Sequence, residues 1–183
     1  MTFEQIAVTV AEKLQKSKIP YMLTGALAVN YYGNPRMTHD VDLVVQITDK
    51  DISKIMELFE NDFFVGEESI NAALREISMF NIIHKETGFK VDFWILKGDE
   101  YSQEAFERRR WYPYQEIEIS LATPEDMLIG KLEWYKMSEI EKHYFDALGI
   151  YRIQKGNLDL EYIKKWCKKK SVLKIWEKLQ KEK

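Results

Sequence analysis

The run Asp40-Val41-Asp42-Leu43-Val44-Val45 constrains the fold more than any other part of this chain. Its β-branched, apolar composition predicts a buried strand from Asp40 to Ile47. Successive side chains of a strand point to opposite faces, so Asp40 and Asp42 share one face while the apolar residues beside them face the core. Neighbouring carboxylates repel unless a cation neutralises them, and Mg²⁺ prefers oxygen ligands. The run therefore predicts a divalent-metal site on a sheet.

A third acid, Asp92, lies in a second apolar strand predicted from Lys90 to Leu96. A turn near Gly88 joins this strand to another, Met79 to His84, as a hairpin. If the strands of Asp42 and Asp92 are neighbours, three carboxylates converge. Such a site suits two-metal chemistry, in which one ion lowers the pKa of an attacking hydroxyl and the other stabilises a leaving phosphate. The alternative is that these acids lie on edge strands and face water.

Gly25 stands between a predicted strand, Tyr21 to Thr24, and a helix predicted from Ala26 to Tyr32. Glycine permits close backbone approach, and the N–H groups at a helix start bind phosphate. We therefore predict that the Gly25 and Ala26 N–H groups cradle the phosphates of a nucleoside triphosphate. Arg36, on the following loop, is a candidate phosphate contact. Two alternatives stay open: Gly25 is a simple turn residue, and Arg36 pairs with one of the three aspartates.

These residues form a pattern that resembles a known superfamily. The stretch Leu23 to Val29, followed by Gly33, Arg36, Thr38 and Asp40 to Leu43, is similar to the signature of the polymerase-beta-like nucleotidyltransferases. More narrowly, it resembles the branch that includes the AbiEii-type abortive-infection toxins. The resemblance implies a metal-dependent transferase that moves a nucleoside monophosphate from an NTP to a hydroxyl, with Asp40, Asp42 and Asp92 binding Mg²⁺ (or Mn²⁺).

One position departs from the superfamily pattern. The first glycine is usually followed by another glycine or by serine, whereas this chain has Ala26, which lacks a hydroxyl for phosphate. The departure leaves open a catalytically degenerate member that binds nucleotide or RNA, such as a toxin–antitoxin component.

The stretch Pro124 to Asp146 also resembles the AbiEii-type branch, in which a helical lysine, here Lys131, lies near the nucleotide. From the residues alone, Lys131 is a surface lysine on an amphipathic helix. Asp146 either orients Lys131 or is a solvated helix residue, and the residues alone favour the second interpretation.

The order of predicted elements indicates an α/β (α+β) fold with a mixed sheet flanked by helices. The β-rich stretch Trp111 to Ile119 is predicted to add a strand. Thr123-Pro124-Glu125-Asp126 is a strong helix start, and every element after it is predicted to be helical. We therefore predict a catalytic domain over residues 1–120 and a helical C-terminal subdomain packed on it over residues 121–183.

The charge of the chain is unevenly distributed. Arg152 to Lys183 contains 11 Lys or Arg and 4 Asp or Glu, a balance of +7, so the rest of this −3 chain carries −10. This basic tail binds a polyanion such as RNA, docks on the acidic remainder of the chain, or presents an ordinary solvated lysine face.

The remaining expectations concern location and partners. A single cysteine, Cys167, excludes an internal disulfide, and no apolar run approaches a membrane span. We expect a cytoplasmic protein with no membrane partner. Its predicted ligands are an NTP and an unidentified acceptor, which is RNA, a protein or a small molecule. The resemblance adds an antitoxin as a further partner.

Overall fold

The computed structural model of the chain describes residues 1–38 and 40–182. His39, which alternation predicts to face away from Asp40, lies outside the described residues, as does Lys183. The helices are α1 (Phe3–Lys16), α2 (Gly25–Tyr32), α3 (Ile52–Phe59), α4 (Glu67–Glu76), α5 (Glu100–Arg108), α6 (Pro124–Ser138), α7 (Glu141–Gln154), α8 (Leu160–Lys169) and α9 (Leu173–Leu179). The strands are β1 (Tyr21–Leu23), β2 (Asp40–Val45), β3 (Phe63–Phe64), β4 (Met79–His84), β5 (Lys90–Ile95), β6 (Arg110–Tyr114) and β7 (Ile117–Leu121).

The chain divides into two compact units. The first comprises Met1–Leu27 and Met37–Leu121, and the second comprises Ala28–Arg36 and Ala122–Lys183. Helix α2 begins in the first unit and ends in the second. No helix in the described part of the chain is long and apolar enough to cross a membrane.

The first unit is built on a seven-stranded sheet of order β3-β4-β5-β2-β1-β7-β6. The β2/β5 and β1/β7 pairs are parallel, and the other neighbouring pairs are antiparallel. Helices α1 and α4 lie against the sheet, and α3 lies against α4. This mixed sheet with flanking helices, followed by helices alone, confirms the predicted fold class.

Alternation in β2 separates an apolar face from an acidic one. Leu43 on β2 pairs in register with Phe93 on β5, which pairs with Phe80 on β4. All three are buried, and the Phe80 and Phe93 rings stack with their centroids 4.8 Å apart. Phe59, at the end of α3, meets Phe93 edge to face. This packing fixes which face of β2 is buried, so Asp40 and Asp42 must lie on the other face.

The second unit is organised around the start of α6. Thr123 caps the helix, and its hydroxyl hydrogen bonds to Asp126 Oδ2 at 2.6 Å. Tyr162 of α8 donates to Asp126 Oδ1 at 2.7 Å, and the backbone N–H of Asp159 donates to Glu125 Oε1 at 3.0 Å. The first-turn acids therefore join α6 to the start of α8 as well as compensating the helix dipole.

The stretch that the sequence predicts as one strand, Trp111 to Ile119, is a hairpin of β6 and β7. Tyr114 pairs with Ile117, which leaves Gln115 and Glu116 as the turn, and Gln115 has a φ of 53°. A two-residue hairpin turn commonly has glycine or asparagine at such a position. Because neither residue is present in the turn, the sequence carries no signal for the break.

Candidate active site

The two acidic strands are neighbours in the sheet. Strand β2 pairs in parallel with β5, and Asp42 is the register partner of Asp92. Register partners project to the same face, so both carboxylates share the face opposite the apolar core. Asp40 lies two residues before Asp42 on that same face. The structure therefore brings the three acids predicted from sequence onto one face of two adjacent strands.

Lys90 lies on the same face as the three aspartates. It is the register partner of Asp40, and its Nζ lies 3.0 Å from Asp92 Oδ2 and 3.9 Å from Asp40 Oδ1. The hydrogen bond to Asp92 and the charges of the three aspartates outweigh partial burial and raise the pKa of Lys90 above its ordinary value. The lysine is therefore firmly protonated and neutralises part of the acidic charge.

The Asp92 carboxylate is buried and only half satisfied. The residue is 6% exposed, and its Oδ1 atom is buried with no hydrogen-bond partner among the described residues. Leaving such an atom unpaired is costly, and unpaired buried atoms concentrate at functional sites. Asp92 therefore presents one oxygen to a proton donor or a cation that would satisfy it.

The donor set suits a hard divalent cation, because carboxylate oxygens are the ligands that Mg²⁺ and Mn²⁺ prefer. As they stand, however, no three metal-ligating side chains among residues 1–38 and 40–182 converge closely enough to hold an ion. Like charges separate when no ion joins them, and Lys90 Nζ lies beside two of the three carboxylates. Binding an ion would require these side chains to close around it.

Gly25, the first residue of α2, lies against Asp42. Its φ is +59°, and a Cβ placed on it would lie 1.9 Å from Asp42 Oδ2 and 2.6 Å from Asp42 Cβ. An L-residue is disfavoured in this conformation, and the contact leaves no room for a methyl group. The glycine therefore permits a close approach between the start of α2 and a predicted metal ligand. Ala26, which follows, is 5% exposed.

In the second unit, Arg36 and Lys131 converge on Asp146. Arg36 donates from Nε and Nη2 to the two oxygens of Asp146 at 3.0 and 3.1 Å, and Lys131 Nζ lies 3.0 Å from Asp146 Oδ2. Asn30 fixes the Arg36 backbone with two hydrogen bonds of 2.9 Å. The structure thus pairs Arg36 with Asp146, an acid that the sequence analysis did not consider as its partner.

Two interpretations made from residues alone are wrong. Lys131 and Asp146 are each 7% exposed, so the first is not a surface lysine and the second is not a solvated helix residue. Burial alone would raise the pKa of Asp146, but the hydrogen bond from Arg36 and the charge of Lys131 outweigh it and hold the pKa below its ordinary value. Buried Lys131 and partly buried Arg36 on one carboxylate leave this trio with a net charge of +1.

No protein-family profile matches the chain, and no curated protein sequence matches it significantly. Solved structures do match. A nucleotidyltransferase-like antigen from Paracoccidioides brasiliensis aligns over 94% of this chain and 92% of its own, at a TM-score of 0.58 and 16% identity. The fold is that of the nucleotidyltransferases.

Two further structures with this fold are an antibiotic-resistance factor and an antibiotic adenylyltransferase. The resistance factor ANT(2″)-Ia aligns over 95% of this chain and 94% of its own, at a TM-score of 0.59 and 9% identity. The lincosamide adenylyltransferase LnuA aligns over 84% of this chain and 98% of its own, at a TM-score of 0.52 and 15% identity. These likenesses support the polymerase-beta-like fold, while the AbiEii-type branch stays a prediction.

Sequence reasoning missed three polar residues that border these clusters. Asn81 on β4 is the register partner of Asp92, and Lys90 forms a salt bridge with Asp92. Alternation carried a signal for both, since Asn81 interrupts an apolar strand and Lys90 precedes Asp92 by two residues. His143 stacks on Trp134 with centroids 6.0 Å apart, and burial followed by the charge of Lys131 lowers its pKa. His143 lies within the stretch Pro124 to Asp146 that resembles the AbiEii-type branch, but the sequence analysis assigned it no role.

Proposed function

We propose that this nucleotidyltransferase-fold protein transfers a nucleoside monophosphate from an NTP to a hydroxyl acceptor. The observation that carries the proposal is the Asp42–Asp92 register, which sets two carboxylates side by side on adjacent parallel strands. Placing like charges together on a sheet is unfavourable, so the arrangement calls for a cationic ligand. The fold of known nucleotidyltransferases is the supporting context.

In this proposal, Asp40, Asp42 and Asp92 hold Mg²⁺ or Mn²⁺. The bound ion would neutralise phosphate charge and make the acceptor hydroxyl more acidic. Asp92 Oδ1, the buried oxygen without a partner, is the atom that accepts the hydroxyl proton. The acceptor oxygen then bonds to the α-phosphorus, the bond from that phosphorus to the β-phosphate oxygen breaks, and pyrophosphate leaves with the electron pair.

Each unit, taken by itself, offers one candidate group for phosphate binding. In the first unit, the Gly25 and Ala26 backbone N–H groups at the start of α2 are the proposed donors. In the second unit, Lys131 and Arg36 are the proposed cations, held in fixed orientations by Asp146. A trio with a net positive charge attracts a phosphate without either cation first having to be ordered.

The acceptor remains to be identified among RNA, proteins and small molecules. Two fold neighbours favour testing small molecules first. LnuA was crystallised with lincomycin, and ANT(2″)-Ia was crystallised with adenylyl-2″-tobramycin. The test incubates the purified protein with each α-labelled NTP, Mg²⁺ or Mn²⁺, and a total cell extract, and then follows label into small-molecule, RNA and protein fractions.

The controls for this experiment are two aspartate variants. Asp42→Ala removes a proposed ligand, whereas Asp49→Ala removes an exposed acid just after β2 and changes the net charge equally. We expect wild type and Asp49→Ala to label the same fraction and Asp42→Ala to label none. Equal labelling by all three proteins would refute the assignment of the site.

Ala26 specifically favours a second candidate, a catalytically degenerate member that binds nucleotide or RNA. This candidate predicts NTP binding by calorimetry with no labelled product in any fraction.

We further propose the AbiEii-type branch, a cytoplasmic location, an antitoxin partner, and a division into a catalytic domain (1–120) and a helical subdomain (121–183). Induced expression should then arrest growth, and Asp42→Ala should relieve the arrest.

A further inference from the structure

The acidic face contains a cation of its own. Lys90 Nζ lies 3.0 Å from Asp92 Oδ2 and 3.9 Å from Asp40 Oδ1, so one ammonium group reaches two of the three proposed ligands. The register places Lys90 beside Asp40 on the same face. This position follows from the parallel ladder and does not depend on a flexible loop.

A lysine and a divalent ion cannot both occupy this position. Since Asp92 Oδ1 is assigned to the proton of the acceptor hydroxyl, an ion held by Asp92 uses Oδ2, the oxygen that Lys90 contacts. Two cations on that one oxygen repel strongly in a partly buried setting. We infer that Lys90 is a built-in counter-ion that fills the acidic site when no metal is bound and withdraws when the metal binds. Metal occupancy is then a competition between Lys90 and the ion.

The lysine is the partner that moves. Its side chain is 37% exposed, whereas that of Asp92 is 9% exposed, so Lys90 has a route to solvent that the aspartate lacks. Its four-carbon stem is flexible and its ammonium group hydrates readily. The exchange gives Asp92 Oδ2 a cationic partner in both states, with Lys90 before metal binding and the ion afterwards.

This inference rests on the proposed metal site and makes a separate prediction. Lys90→Met removes the competing charge, so Mn²⁺ binding measured by calorimetry should tighten about fivefold or more. Lys50→Met is the matched control, because it removes an equally charged, exposed lysine in the short 3-10 helix (Asp49–Asp51) after β2. Lys90→Arg keeps the positive charge and should bind Mn²⁺ no more tightly than wild type.

Thermal unfolding gives a second readout. Without metal, Lys90→Met should unfold at a lower temperature than wild type, because Asp92 loses its hydrogen-bond partner. Saturating Mn²⁺ should raise the Tm of Lys90→Met by more than it raises the Tm of wild type. If Lys90→Met does not fold, Lys90→Gln can still donate a hydrogen bond and replaces it in both measurements.

A third readout needs no variant. Mass spectrometry can measure how fast an amine-reactive reagent modifies Lys90 in the wild-type protein, and added Mn²⁺ should increase that rate while leaving Lys50 unchanged. Unchanged or weaker Mn²⁺ binding by Lys90→Met, or slower modification of Lys90 with metal, would overturn the inference and leave the metal site intact. If Mn²⁺ binds no variant, or binds Asp42→Ala as well as wild type, both the inference and the proposed metal site fail.

Discussion

Replacing Gly25 with alanine should damage the acidic site through a single added methyl group. The new Cβ would lie 1.9 Å from Asp42 Oδ2 and 2.6 Å from both Asp42 Cβ and Asp42 Cγ. Rotating the carboxylate cannot relieve the contact with Asp42 Cβ, which is fixed to the backbone of β2. Either the start of α2 or the β2 backbone must therefore move.

The magnitude follows from two separate terms. A left-handed conformation costs alanine about 1–2 kcal/mol, and forcing extra volume into a packed site costs about 1–3 kcal/mol. The free energy of unfolding should thus fall by about 2–5 kcal/mol. For a chain of 183 residues, this corresponds to a decrease in Tm of about 4–20 °C.

Gly88 supplies the matched control. It also has a positive φ, +72°, but a Cβ placed on it would meet nothing within 4 Å. Gly88→Ala should therefore show only the conformational term, about 1–2 kcal/mol. The difference between the variants in urea unfolding measures the contact with Asp42, and Mn²⁺ calorimetry should show weakened binding in Gly25→Ala alone.

A double-mutant cycle tests whether the loss of stability in Gly25→Ala comes from the contact with Asp42. Asp42→Ala removes the two clashing atoms beyond Cβ, so Gly25→Ala should destabilise the Asp42→Ala protein less than it destabilises wild type. Equal losses of stability for Gly25→Ala and Gly88→Ala, with metal binding unchanged in both, would show that the close approach of Gly25 to Asp42 has no energetic consequence.

Three further predictions address the acids and the basic tail. Asp42→Ala should abolish Mn²⁺ binding in calorimetry while leaving the protein as stable or more so, because like-charge repulsion is relieved. The pKa of Asp146 is lowered on folding, so its stabilisation is present above the unfolded value of about 3.9 and is lost as pH falls through the folded value. Urea unfolding should therefore show Asp146→Asn to be less stable than wild type by about 3–5 kcal/mol at neutral pH and nearly equal to it in strong acid. In electrophoresis with tRNA, a Lys164→Gln, Lys168→Gln variant should match wild type at moderate salt; a salt-sensitive loss of retardation in that variant would instead support RNA binding by the tail.

We expect the basic tail not to bind RNA, because several of its lysines already have partners within the protein. Lys165 and Lys169 lie 4.7 and 4.6 Å from the Trp166 ring centroid, and Lys170 Nζ lies 2.9 Å from Glu133. Trp166 itself is 3% exposed and belongs to the core. Several basic residues therefore have partners within the second unit, which favours the interpretation of the tail as a lysine face on amphipathic helices.

The sequence predicted the acidic strands well because their pattern is local. Alternation in β2 and β5 determines which residues share a face. The position of Gly25 at the start of a helix follows directly from the strand–turn–helix pattern. Strand order in the sheet is not local. The predicted convergence of Asp42 and Asp92 depended on the resemblance or on assuming that their strands are neighbours.

Lys131 and Asp146 illustrate where local patterns fail. The first two turns of α6 are buried on several sides, including the charged residues Glu125 and Asp126. A helix that is buried around most of its circumference has no clear polar face, so a lysine on it cannot be assigned to the surface from spacing alone. Asp146 lies 110 residues from its partner Arg36 in sequence, and only tertiary packing brings the two together.

The parallel pairing of β2 with β5 has a consequence for protein synthesis. Fifty residues separate Asp42 from Asp92, so β2 waits about 2.5–10 s for its partner strand at ordinary elongation rates. During that interval the nascent chain exposes a short, strongly β-forming segment with one unpaired edge, which is a template for aggregation. Asp40 and Asp42 place two negative charges on that segment and act as gatekeepers against such pairing. Neutral substitutions at these positions should therefore reduce the yield of soluble protein, even where the folded state is no less stable.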